Sequence, residues 1–237
     1  MPTSVLALAV VAALQLPTVQ QVLDRYVQAT GGRDALLRHK SMTMHMTEGD
    51  VQLVLSMKDT KAAQRILFPD GRVMRGGYDG KVAWSIDTAG HVHVPQGDVV
   101  KTIARDADMY YHLHVMRYFR SMAVVDVKPF NGRPCYHLKG VNNWGKTNEQ
   151  FYDTATGLLI GYAFNTAWRG GKGDATATFE DYTDFGGVLW PTKTTSRDGD
   201  DVSVDRITSV TYDDLDDAVF VLPDAVQKAV LRVGAAH

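Results

Sequence analysis

The chain has 237 residues, of which 22% are charged and 45% hydrophobic, and its formal net charge is -2. That balance is ordinary for a globular protein with a sizeable core, and it excludes the basic composition of a nucleic-acid binder. The only cysteine, Cys135, leaves no intramolecular disulfide framework and no multi-cysteine metal site.

Val5 to Leu16 is an apolar run with the length of a secretory signal core and too short to span a bilayer. No Lys or Arg precedes Arg25, so a buried N-terminal helix or strand is the alternative. The expectation is a signal peptide over residues 1–16, a single domain over 17–237, no transmembrane span, and a periplasmic or secreted location. No Cys follows the run, which excludes lipid attachment at a mature N-terminal cysteine.

Pro17-Thr18 opens a helical pattern in which Val19, Val22, Leu23, Tyr26 and Val27 recur at three- and four-residue spacing, and Gly31-Gly32 closes it. A short second helix is expected over Asp34 to His39. Strands follow. Met42, Met44 and Met46 alternate with Thr43, His45 and Thr47, and Val51, Leu53, Leu55 and Met57 alternate with Gln52, Ser56 and Lys58. Gln64 to Phe68, Arg72 to Tyr78 and Lys81 to Ile86 continue the series across Pro69-Asp70-Gly71 and Asp79-Gly80, as successive hairpins.

Between Asp98 and Met122 the period changes, with Ile103, Ala107, Tyr110, Tyr111, His114, Tyr118 and Phe119 spaced as one broad helical face. Strands resume at Ala123 to Val127, Cys135 to Val141 and Glu149 to Tyr152. In the next run Leu158, Ile160, Tyr162 and Phe164 share one face by the two-residue period of a strand. Turns are expected at Thr156-Gly157, Gly170 to Gly173 and Gly186-Gly187, where glycine admits positive φ. A strand over Val202 to Tyr212 and a short helix over Asp224 to Arg232 complete the chain.

These elements predict a mainly β (α+β) fold: a half-open, strongly curved antiparallel β-barrel of roughly ten or eleven strands, with helices covering its mouth. A curved sheet makes a pocket. The methionine stripe Met42, Met44, Met46 and Met57 is a candidate lining for its concave face, because thioether side chains adapt to ligands of variable shape. The aromatic insertion is a candidate plug or gate.

Competing chemistry is weak. His91-Val-His93 and His112-Leu-His114 lack a third placed ligand for zinc. The runs Asp198, Asp200, Asp201 and Asp213, Asp214, Asp216, Asp217 do not match a calcium loop. Gly170-Gly171-Lys172-Gly173 is not a phosphate loop, and G-x-S-x-G does not occur.

Phe151-Tyr152-Asp153-Thr154-Ala155-Thr156-Gly157-Leu158-Leu159, with Phe179 to Thr192, resembles the paired hairpins of outer-membrane lipoprotein-sorting-like proteins, the LolA/LolB superfamily. Leu23 to Leu36 is similar to the helix that opens many of its small secreted members. The resemblance implies a half-open barrel and a noncatalytic periplasmic carrier or binder of lipid or another apolar ligand, without cofactor or metal. Tyr110 to Phe119 matches no carrier motif, so a general apolar cargo is expected rather than lipoproteins. The candidate contacts are Met44, Met57, Trp84, Tyr110, Tyr111, Phe119, Phe151, Tyr162, Phe164 and Trp190. Alternative readings are an envelope sensor that uses the scaffold to bind a protein partner, and a histidine-based metal-dependent enzyme.

Overall fold

A computed structural model describes residues 15–167 and 171–234. Most of the expected signal segment, and the Gly170 end of one expected turn, lie outside these residues. Among the described residues no helix is long and apolar enough to cross a membrane.

Helix α1 (Val19–Ala29) begins at a capping box: the Thr18 hydroxyl accepts from the Gln21 amide at 3.2 Å, and Gln21 Oε1 accepts from the Thr18 amide at 2.8 Å. Its buried face is Val22, Leu23, Tyr26 and Val27. Two glycines then turn the chain into α2 (Arg33–Arg38). Gly31 has φ 118, and a Cβ there would lie 2.1 Å from the Gly187 carbonyl oxygen, so no other residue fits where the helix end meets the sheet.

Thirteen strands form one antiparallel sheet that is not closed: β1 (Ser41–Glu48), β2 (Val51–Lys58), β3 (Lys61–Leu67), β4 (Val73–Tyr78), β5 (Ala83–Ile86), β6 (Val92–His93), β7 (Phe119–Phe130), β8 (Arg133–Asn142), β9 (Thr147–Asp153), β10 (Leu159–Asn165), β11 (Asp174–Phe185), β12 (Val188–Asp198) and β13 (Asp201–Tyr212). The count exceeds the expected ten or eleven. One added strand is Val92–His93, whose two residues pair with Ser85 and Ile86 and carry no strand pattern of their own.

The spatial order is β6-β5-β4-β3-β2-β1-β13-β12-β11-β10-β9-β8-β7. Two meanders therefore meet at the β1–β13 pair in the middle, and β6 and β7 form opposite edges. The segment joining β6 to β7 has to cross the sheet. It does so as α3 (Asp98–Asp106), α4 (Tyr111–His114) and a 3-10 turn, Val115–Arg117. A further 3-10 turn, Asp217–Phe220, leads to α5 (Asp224–Gly234).

The single helical face expected over Asp98 to Met122 is thus divided. Buried Asp108 ends α3 by accepting the Tyr110 amide (2.9 Å), His114 Nδ1 (2.8 Å) and the Tyr118 hydroxyl (2.7 Å). Strand β7 starts at Phe119, four residues before the expected Ala123. Polar capping of a carboxylate outweighed the helical period.

The period of two also breaks inside β10. A register shift between Leu159 and Gly161 puts Leu158, Ile160 and Ala163 in a cluster with Cys135 and Phe151, while Leu159 and Tyr162 join the cluster under α1. Leu158 and Ile160 therefore do not share a face with Tyr162, as strict alternation required. A Cβ at Gly161 would sit 2.1 Å from the Ala177 carbonyl oxygen, so the bulge needs this glycine.

Candidate functional site

The core divides across the sheet. On the side facing α1, Val22, Leu23, Tyr26, Val115, Phe119, Leu138, Tyr152 and Leu159 close one end of the fold. Burying a side chain such as Leu23 or Val115 contributes about 1.5–3 kcal/mol, so this end is firmly set. Next to it Met42, Met44, Met57 and Val210 are buried, with Met46, Leu55, Met109, Trp190 and Ile207 packed around them. Strand pairing makes this cluster: Met42 is directly opposite Met57, and Met44 opposite Leu55 and Val210.

Over these methionines lies a cavity of about 500 Å³, a size in the range of small-molecule sites. Its sheet wall includes Met42, Met44, Met46, Leu55, Met57, Tyr162, Phe164, Ala177, Trp190 and Ile207. Its roof is Thr102, Arg105, Asp106, Asp108, Met109, Tyr111 and His112 of the crossing segment. The rim is polar, with Asn142, Lys146, Thr147, Asn148, Asn165, Thr194 and Asp205. Several of these stand near hairpin tips, so one end of the cavity is apolar and the other is wet. Beyond the rim a second groove shares Lys146, Thr147, Phe164 and Asn165 and extends to Arg197.

Hydrogen bonds pin the roof to both halves of the sheet. The Met109 amide donates to the Asp59 carbonyl (2.9 Å), and the Tyr110 hydroxyl to the His39 carbonyl (2.8 Å). On the opposite side the Asn143 amide donates to the Tyr118 carbonyl (3.0 Å), and Asn143 Nδ2 to the Arg117 carbonyl (2.7 Å).

Charge inside the roof is handled by pairing. Arg105 meets Asp106 at 2.7 Å, and its guanidinium lies 6.0 Å from the Tyr111 ring and 5.8 Å from that of Trp144. Burial opposes its charge, but Asp106 and Tyr111 more than offset that, and its pKa is raised. The Trp144 indole N–H is buried without a partner among the described residues. Burial lifts the Tyr111 hydroxyl to about 12 and that of Tyr162 well above its ordinary range, so neither serves as a base near neutrality.

Burial also lowers His112 to about 4, against the pull of Asp108. The ring is half-buried and lines the cavity. At neutral pH it is an uncharged imidazole. At the rim Asp205 is raised by burial and by Glu48, its neighbour across the β1–β13 pair.

Six of the ten candidate contacts come together on this cavity: Met44, Met57, Tyr111, Tyr162, Phe164 and Trp190. Four stand elsewhere. Phe151 is on the convex side, stacked on Phe130 at 4.0 Å and on His137 at 5.0 Å. Phe119 packs in the cluster under α1, against Gly140. Trp84 lies over Gly77 of β4, and Tyr110 fastens the roof to the start of β1. The polar residues Arg105, Asp106, Asp108, Lys146, Asn148 and Asn165 were not among the candidates, which were chosen as apolar. The two-residue period of a strand puts Asn148 on one face with Gln150 and Tyr152, a signal that could have found it. Among the described residues no three His, Cys, Asp or Glu side chains converge as a metal site.

No protein-family model matches the sequence, and no curated protein matches it. Solved structures do match in shape. A LolA superfamily protein from Nitrosomonas europaea aligns at TM-score 0.58 and 13% identity, over 87% of this chain and 99% of that one. The fold is LolA-like. A DUF1329 family protein from Desulfovibrio piger aligns at TM-score 0.58 and 16% identity, over 86% of this chain and 97% of the other. An outer membrane lipoprotein-sorting protein domain from Vibrio parahaemolyticus aligns at TM-score 0.56 and 13% identity, over 90% and 97% of the two chains. The LolA-like sheet here is the thirteen-stranded half-barrel, and the α3–α4 segment covers its hollow.

Proposed function

We propose that the chain is a noncatalytic binder or carrier of a lipid or other apolar molecule in the bacterial envelope, held in the cavity between the sheet and the α3–α4 roof. The observation that carries this reading is the cavity itself, about 500 Å³ of unfilled space walled by methionines and aromatic rings. A core built only for stability closes such space, since interiors pack to crystal-like density and voids are costly. The LolA-like fold agrees with a carrier role, and the titrating groups in the roof are arranged for burial and pairing rather than for proton transfer.

The lining suits an amphiphile. An alkyl tail lies against Met42, Met44, Met57 and Ile207, and a polar end reaches Lys146, Asn148 and Asn165 at the rim. The space fits one small ligand. Native mass spectrometry of the purified full chain, followed by organic extraction, tests this: one apolar molecule per chain is expected. A chain that carries none and takes up none from an added fatty acid would sink the reading.

A further inference from the structure

The nine methionines of this chain are not evenly spread. Met42, Met44, Met46, Met57 and Met109 line one cavity. Packing alone gives a bland account of them, because thioethers fill irregular gaps well. Here the gap is not filled, and the sulfur-bearing side chains border open space.

The second observation is His112. The buried histidines are clamped by carboxylates: His39 by Asp213 at 3.1 Å, His137 by Asp126 at 3.1 Å and Glu149 at 2.9 Å. Half-buried His114 is likewise held by Asp108 at 2.8 Å. His112 has no such partner. Its Nε2 approaches the Tyr26 hydroxyl at only 3.5 Å, the long limit of a hydrogen bond, and its Nδ1 has no hydrogen bond among the described residues. The ring lines the cavity with a nitrogen that no carboxylate holds.

Backbone placement joins the two. Met42 and Met57 are directly opposed across β1 and β2, and Met44 follows two residues along on the same face. Met109 packs on that cluster, and His112 stands three residues after it in the turn that runs into α4, a spacing that puts two side chains on one side. Trp190 packs on the methionines with its ring 6.3 Å from that of His112.

We propose that this constellation, when no apolar molecule fills the cavity, is a binding site for a soft monovalent cation of the Cu(I) or Ag(I) type, held by the thioethers of Met42, Met44, Met57 and Met109 with the His112 imidazole. Thioether donors select Cu(I) over zinc, calcium and magnesium, which want thiolate, imidazole or oxygen ligands. The Trp190 ring adds a face that favours a cation. Strands β1 and β2 preorganise three of the donors, and the roof brings the other two. The site therefore needs the crossing segment as much as the sheet.

Anaerobic titration of the full chain with Cu(I) against a competing chelator, with Ag(I) as a redox-inert check by native mass spectrometry, tests the proposal. One ion per chain is expected. Met42→Leu/Met57→Leu keeps apolar volume and should weaken binding by at least about tenfold, the loss that even outer-shell changes cause at metal sites. Exposed Met116 and buried Cys135 lie outside the cavity, so Met116→Leu and Cys135→Ser should bind as the parent does. If the double variant fails to fold, Met109→Leu/His112→Phe supplies the same comparison from the roof. The proposal is overturned if the chelator strips all Cu(I), if the folded cavity variants bind as the parent, or if Cys135→Ser alone abolishes binding.

Discussion

Filling the cavity from its own wall separates a ligand site from a core already filled by side chains. Ala177 lies on β11 opposite Tyr162 and lines the space between sheet and roof. Ala177→Leu adds three carbons there. At about 0.8 kcal/mol per buried carbon, the gain in stability has an upper bound of about 2.4 kcal/mol, reduced by whatever part of the leucine still meets water. If the space were already occupied by side chains, overpacking would instead lose about 1–3 kcal/mol. The two outcomes differ in sign. Urea unfolding followed by circular dichroism reads the change from the midpoint and slope, and native mass spectrometry reads ligand retention on the same samples. The expected result is a protein as stable as the parent or more so, with retention lost or sharply weakened. A midpoint that falls by the overpacking amount refutes the cavity, and an unchanged ligand load in a stable variant refutes its role.

Phe151→Leu should lower stability, through the lost stacking on Phe130 and His137, and leave retention unchanged, because its ring is on the convex side; thermal melts and mass spectrometry check both halves. Gly31→Ala, placed at φ 118 with a Cβ 2.1 Å from the Gly187 carbonyl oxygen, should lose at least about 1–3 kcal/mol in urea unfolding, the usual range for backbone strain. Asp213 is held below the ordinary carboxylate range by the Lys40 amide, with His39 and Ser41 helping. Its contribution is present above the unfolded carboxylate value of about 4 and is lost as pH falls through the lower folded value. Asp213→Asn should therefore flatten the acid limb of a stability-against-pH curve and leave its shape above pH 5 unchanged, and a limb as steep as the parent's would contradict the assignment.

Much of the scaffold was legible because its cues are local. Pro17-Thr18 announces a helix start, and Pro69-Asp70-Gly71 and Asp79-Gly80 announce hairpins, so α1 and the first meander could be read from neighbours alone. The methionine stripe was legible for the same reason, since parity on one strand suffices to put Met42, Met44 and Met46 on a single face. What could not be read depends on distant partners. The bulge at Gly161 answers the Ala177 carbonyl and the Phe130 ring across the sheet, and without it Leu158 and Ile160 look like cavity residues. Asp108 reshapes the insertion by collecting donors from Tyr110, His114 and Tyr118, a pattern that no periodicity carries. The sidedness of Phe151 is set by β8 and β9 pairing, so an aromatic side chain alone could not decide it.

The pairing of β1 with β13 has a consequence for how the molecule comes into being. Every other strand pair joins sequence neighbours, whereas this one brings Met42 against Tyr212. During synthesis the two meanders can each zip from hairpins as they emerge, but the sheet stays in two pieces until β13 is available. Loop closure over so long a separation is slow relative to local hairpin formation. Until that seam closes, Met42, Met44 and Met57 lack the Val210 and Ile207 side of their surroundings, and the hollow exists only as two separate walls.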